Sequence, residues 1–230
     1  MDARTVAPEW LDSLPADSPE AMRSRRDLRI IHRFMRTRSW LAQQLAALPP
    51  QARGSIAELG AGDGQLMRAV REDLNDLRVC GYDLIAQPAD WPSDWDWLAG
   101  DFTRLNGFAE QTIIALMILH HFENDKLLEL GKKIQAGATR YLLVVEPARY
   151  PKHILLLQAG RLLGFCKTTL HDGAVSIRAG FLDEELPHRL GLDPAQWGWH
   201  CQSTTTGAYR MFAWRKSPGQ PDGTGASGKR

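Results

Sequence analysis

The sequence predicts an α/β fold, an open and mostly parallel sheet flanked by helices, on three observations. Short apolar runs alternate with helix-like segments between Ser55 and Pro147, the order that puts parallel strands in one sheet with right-handed crossovers. One run, "TIIALMIL" at 112–119, is apolar throughout, as a strand covered on both faces should be. Three glycines, Gly60, Gly62 and Gly64, follow the first run, at the carboxyl end of a strand, where open α/β sheets bind their ligands.

The elements follow in order. Residues 1–18, with their prolines and aspartates, read as irregular. From Pro19 to Leu48, Leu28, Ile31, Phe34 and Met35 recur at three- and four-residue spacings, which predicts a helix. "LPPQARG" (48–54) ends it, so that 1–50 form an N-terminal helical segment and 51–216 the main domain. Strands are expected in "SIAEL", "RVCGYDL" (78–84), "DWLAGDF" (96–102), 112–119 and "RYLLVVEP" (140–147). Helices are expected from the glycines to about Leu74 and near 124–135. An extended apolar helical region follows Pro147, and two weaker strands near 198–202 and 209–214 bring the count to seven. The tail, 217–230, is rich in Gly, Ser and Pro and is expected to be disordered.

Composition narrows the function. The 230 residues are 43% hydrophobic and 24% charged with a net charge of +1, which gives no overall pull toward nucleic acid. Cys80, Cys166 and Cys201 form no CxxC pair, so neither a disulfide framework nor a thiolate metal site is read. The start lacks a signal-peptide pattern, and no apolar run reaches the roughly 18 residues of a membrane span. The expected location is cytoplasmic, without stable membrane insertion. The basic, amphipathic stretch "RSRRDLRIIHRFMRTRSW" (23–40) allows peripheral contact with an anionic surface. A lid over the ligand cleft is the simpler reading.

The glycines are spaced GxGxG. That is neither the GxGxxG of a dinucleotide fold nor the GxxxxGK[ST] of a phosphate loop, and Asp63 would repel a phosphate. A turn that only packs a helix on a strand is the plain alternative. Asp83 closes the second strand about twenty residues later, where an acid accepts bonds from ribose hydroxyls. Asp101 and Phe102 close the third, a carboxylate beside an aromatic face, both of use to an adenine ring.

In "ELGAGDG", "GYD", "GDF", "IALMILHHF" and "VVEP" the chain resembles the class I S-adenosylmethionine-dependent methyltransferases, over about Ser55 to Pro147. The resemblance implies a Rossmann-like seven-stranded sheet and S-adenosyl-L-methionine as cofactor. It implies that Glu58, Gly60, Ala61 and Gly62 surround the methionine end. Asp83 would hold the ribose, Asp101 and Phe102 the adenine, and Met117 and Ile118 would flank the transferred methyl. The "LHHF" ending looks like that of small-molecule enzymes, and the [DN]PP[YF] signature of base-modifying ones is missing. "HDGAVSIRAGF" (171–181) is similar to a bacterial subgroup with an N-terminal helical segment, associated with quinone-, phenol- or polyketide-like acceptors. The expected reaction is methyl transfer to an O or C centre of a small, largely apolar acceptor, with 148–185 as an acceptor-side insertion. A cofactor-binding scaffold without turnover is the alternative; a nicotinamide oxidoreductase is disfavoured by the glycine spacing. An oxygen nucleophile gains from a base poised near neutral pH. His120 and His171 are the candidates for it, with His121 behind them, and Arg178 could hold an acceptor oxygen.

Overall fold

The computed structural model describes residues 1, 3–15 and 17–217. The strands are β1 (Ile56–Leu59), β2 (Val79–Asp83), β3 (Asp96–Ala99), β4 (Thr112–Leu116), β5 (Tyr141–Pro147), β6 (Trp197–Ser203) and β7 (Ala208–Arg215). They form one sheet in the order β3-β2-β1-β4-β5-β7-β6. β1 to β5 run parallel, and β7 lies antiparallel between β5 and β6. The expected seven-stranded, mostly parallel sheet is what the chain builds. The expected disordered tail lies outside the described residues except for Lys216's neighbour Ser217.

The helices are α1 (Pro19–Phe34), α2 (Thr37–Ala47), α3 (Pro50–Arg53), α4 (Gln65–Arg71), α5 (Asn124–Ala136), α6 (Pro151–Ala159), α7 (Lys167–Ala179) and α8 (Glu185–Arg189). Side chains alternate across a strand, so each central strand feeds two cores. Ile114 and Leu143 join Leu41 and Leu45 of α2 and Met67 and Val70 of α4 on one face. Ile113, Ala115, Leu142 and Val144 meet Leu127, Leu130 and Ile134 of α5 and Leu190 on the other. Among the described residues no helix is long and apolar enough to cross a membrane.

Two expectations change. The single helix expected over 19–48 is broken at Arg36, whose φ of 53° is left-handed. That conformation costs a residue with a side chain about 1 kcal/mol or more. Packing offsets it: Met35 is buried against Val145 and Ala208, and Arg210 donates to the Met35 carbonyl at 2.6 Å. The break lets α2 lie on the sheet while α1 leaves it. Of residues 1–18, expected to be irregular, the described ones have little regular structure, but Arg4, Trp10 and Leu11 are pinned to the rest of the chain. Arg4 donates to Ala179 O at 2.6 Å and His120 O at 2.8 Å. The Trp10 and Leu11 amides both reach the Asp172 carboxylate at 2.9 Å.

The α5–α8 contact sets a test. A Cβ on Gly131 of α5 would lie 1.7 Å from the Leu190 carbonyl oxygen, so Gly131→Ala must push the helices apart. Overpacking costs about 1–3 kcal/mol, about 2–4 °C per kcal/mol for a chain of this size. Thermal melting should show Gly131→Ala at least about 2 °C below the native chain. Gly54→Ala, with 3.4 Å of room, should stay within about 1 °C.

Candidate active site

The glycine turn joins β1 to α4, and Gly60, Gly62 and Gly64 all adopt left-handed φ of 69°, 58° and 66°. Two of them are explained by packing. A Cβ at Gly60 would meet the Ile118 side chain at 2.8 Å, and one at Gly64 the Trp91 ring at 2.5 Å. Gly62 is different: nothing lies within 4 Å of where its Cβ would be. Its amide donates to Asp83 Oδ2 at 2.7 Å, while Asp83 Oδ1 accepts from Ile85 N at 3.2 Å. The carboxylate therefore ties the end of β2 to the turn and keeps further lone pairs for a ligand's hydroxyls.

Beside this turn lies a cavity of about 690 Å³ between the end of the sheet and the α1–α2 corner. Glu58, Gly60, Ala61 and Gly62 line it from the sheet, and His32 and Thr37 from the corner. Three of the lining residues carry a buried polar atom with no hydrogen-bond partner among the described residues: Glu58 Oε2, His32 Nδ1 and Thr37 Oγ1. Buried polar atoms are nearly always paired, so three on one cavity mark a place built for a polar ligand. Burial, with Asp63 and Asp83 nearby, pushes the Glu58 carboxyl well above its ordinary range. A ligand cation would reverse that, because an opposite charge favours the ionised form. Burial likewise lowers the pKa of His32, which keeps its imidazole neutral.

A second cavity, of about 260 Å³, is enclosed by α1, α6 and α7. Its wall is apolar, with Leu28, Ile31, Phe34, Leu157 and Ile177. Three polar side chains break it, His153, Ser176 and Thr206. His153 Nδ1 lies 3.0 Å from Ala148 O, and a carbonyl only accepts, so Nδ1 carries the proton. The neutral ring then has its lone pair on Nε2, which is buried and unpartnered. At the end of β4 consecutive residues line different cavities, Leu116 the first and Met117 the second. Met117 is left-handed, with φ 55°, a strain that clusters at functional sites.

The remaining expected residues fall elsewhere. Asp101 Oδ1 accepts from the Thr103 amide at 2.9 Å and hydroxyl at 2.6 Å, and those bonds hold its pKa below the usual carboxylate value. Phe102 is buried, edge-on to Phe122 at 5.8 Å. Ile118 packs on Gly60 and donates its amide to Glu146 Oε1 at 3.0 Å. The candidate bases are not brought to either cavity. His120 is 3% exposed, with Nδ1 2.6 Å from Glu146 Oε2 and Nε2 3.5 Å from Glu9 Oε1. Burial alone would lower its pKa; the two carboxylates outweigh it and raise it to about 9. At neutral pH this imidazole already holds its proton and cannot accept another. His171 stacks on Trp10 at 3.6 Å and places Nδ1 2.8 Å from Asp172 Oδ1. His121 lies against His120, and Arg178 donates to Ala174 O at 3.4 Å. Glu9, His120 and His121 also bring potential metal-ligating atoms within 4.8 Å of one another, though Glu9 and His120 are already paired.

No family model matches the sequence, and no curated protein does. Solved structures do. The plantazolicin methyltransferase BpumL, in complex with a triazolic desmethylPZN analogue and SAH, aligns with a TM-score of 0.67 at 12% identity, over 90% of this chain and 93% of that one. The magnesium protoporphyrin IX methyltransferase of Synechocystis with bound SAM gives 0.51 at 15%, over 84% of each chain. The pyocyanin biosynthetic protein PhzM gives 0.53 at 17%, over 76% of this chain and 54% of that one. The chain has the methyltransferase fold. At these identities the likeness is one of fold, and the site must be argued from its own residues.

Within the methyltransferase fold, the glycine turn and Asp83 stand where the sequence places them, at neighbouring strand ends. His32 and His153 do not emerge from the sequence reading. His153 sits in an apolar run but shares the buried face of α6 with Leu157, four residues on; a polar residue in that stripe is the signal that could have found it. For His32 no local signal exists, because its surroundings depend on the break at Arg36.

The His120 ion pair predicts a pH dependence. Its folded pKa is raised, so its stabilisation is complete below the unfolded value near ~6.5 and is lost as pH rises through about 9. In urea unfolding, His120→Gln should be markedly less stable than the native chain at about pH 6. The gap should shrink steadily toward about pH 10. A gap that does not vary with pH would remove the charge from His120.

Proposed function

We propose that this chain transfers the methyl group of S-adenosylmethionine to an oxygen or carbon centre of a small, largely apolar acceptor of phenol, quinone or polyketide type. The observation that carries the reading is the junction at β4. Consecutive residues line a polar and an apolar cavity: Leu116 the first, beside three residues that carry buried unpartnered polar atoms, and Met117 the second, beside His153. Two fold relatives supporting the cofactor are described with SAH and with SAM bound.

The residues fit the cofactor. Glu58 would take its ammonium, which supplies the cation that a buried, unpartnered carboxyl lacks. Gly60, Ala61 and Gly62 let the backbone approach the methionine moiety, and the space at Gly62 would be filled by it. Asp83 would accept from the ribose diol. Asp101 and Phe102 are assigned to the adenine edge by resemblance, with Asp101 Oδ2 lying 3.4 Å from Arg104 Nε. Met117 and Ile118 flank the reacting end. The sulfonium brings an already activated methyl group, so the chain's work is alignment and exclusion of water.

For an oxygen acceptor, His153 rather than His120 or His171 is the base. His153 lines the apolar cavity, and a proton taken at Nε2 would leave Nδ1–H bonded to Ala148 O. His120 acts at one remove, as a positioning residue: it neutralises Glu146, which holds the backbone carrying Ile118. His171 clamps the N-terminal segment by stacking on Trp10. Residues 1–50 then serve as lid and 148–185 as acceptor-side wall.

Two measurements test the reading. Asp83→Ala removes hydrogen bonds to a charged group worth about 1.5–3 kcal/mol, so calorimetric affinity for S-adenosylhomocysteine should drop at least about tenfold; NADH should give no binding heat. His153→Ala should slow single-turnover transfer to a phenol by about 10²-fold or more while leaving S-adenosylhomocysteine affinity intact. An undiminished rate would leave positioning alone to account for transfer.

A further inference from the structure

The mouth of the apolar cavity is itself apolar and faces solvent. Leu155 is 74% exposed, Leu162 91%, Leu163 59%, Leu156 53% and Phe34 59%. Phe34, Leu156 and Leu163 also line the cavity, so these side chains form one rim where α1 meets α6 and the turn after it. Leucine and phenylalanine are usually buried, and a contiguous exposed patch marks an interaction surface.

Charge decides what covers it. From 148 to 182 the sequence has a single carboxylate, Asp172, and it is buried. Lys152, Arg161 and Lys167 in that segment are exposed. On α1, Arg23, Arg26 and Arg33 are exposed, and Arg26 reaches the Gly164 carbonyl beside the rim at 3.4 Å. Of the two acids of α1, Asp27 is buried and ion-paired with Arg26 at 2.9 Å, and Glu20 is exposed. Asp27 accepts from the Cys166 amide at 2.8 Å and the Thr169 hydroxyl at 3.1 Å, and Glu20 accepts from the Thr168 hydroxyl. An apolar rim collared by basic residues does not suit a second copy, because a two-fold interface would set like charges against each other. It suits an anionic bilayer, which attracts basic residues at about 1 kcal/mol each and accepts leucines below its headgroups.

We propose that this rim docks on an anionic lipid bilayer and that the acceptor's apolar chain passes from the bilayer into the cavity behind it. The second half of that statement rests on the methyl-transfer reading; the first does not. No helix among those described can span a membrane, so the contact is peripheral and reversible.

The test is co-sedimentation of the full chain with phosphatidylcholine vesicles, with and without added phosphatidylglycerol. Binding to the mixed vesicles should be at least about tenfold tighter and should weaken with salt. Leu155→Asp with Leu162→Asp should abolish it. Neither residue lines the cavity, so melting temperature and S-adenosylhomocysteine affinity should stay unchanged. Absence of binding to the mixed vesicles would overturn docking, as would a dimer in light scattering that the double variant dissolves. Vesicle binding by a chain without S-adenosylhomocysteine affinity would keep the docking and remove the methyl-transfer reading; the converse result would do the opposite.

Discussion

The geometry of the site depends on one buried carboxylate. Glu146, near the end of β5, is fully buried and accepts the amides of Ile118 at 3.0 Å and Leu119 at 2.7 Å. It pairs with His120 at 2.6 Å. A buried charge is tolerable only when paired and hydrogen-bonded, and this one is both. The result is a fixed corner after β4, which presses Ile118 onto Gly60 and sets Met117 in the wall of the apolar cavity. Glu9 then closes the other side of the imidazole from the N-terminal segment, so the lid and the corner share one ion-pair network.

Glu58 and Glu146 show how environment divides two carboxyls of the same fold. Each sits in or at the end of a central strand and each is almost fully buried. Glu146 has its partners within the chain, and its role is structural. Glu58 has an oxygen without a partner and two further acids nearby, an arrangement that an incoming cation completes. The strand ends thus carry both the clamp that holds the site and the group that waits for a ligand.

Much of this was legible in the sequence because it depends on local pattern. The run at 112–119 reads as a doubly covered strand, which forms over Thr112–Leu116 before the chain turns at Met117, and the glycines after the first strand read as a close turn. Asp83 follows from its place at the next strand end. The parts that were not legible depend on distant residues. Nothing in "FMRTRSW" breaks a helix by propensity; Val145, Ala208 and Arg210 break it by packing on Met35. His120 reads as a free base beside an acceptor mouth until residues 9 and 146 supply two carboxylates. His153 hides among leucines, and only its bond to Ala148 O shows which nitrogen is free.

The N-terminal segment has a consequence for how the chain is made. Its anchors are remote: Arg4 to Ala179, Glu9 to Ser176, Trp10 to Asp172. Each is separated by more than 160 residues, so these contacts cannot form until α7 has been made. Local contacts form early, and long loops close late. The parallel strands β1 to β5 can pair while this segment waits for its distant partners, so the chain covers its own cavities late in folding.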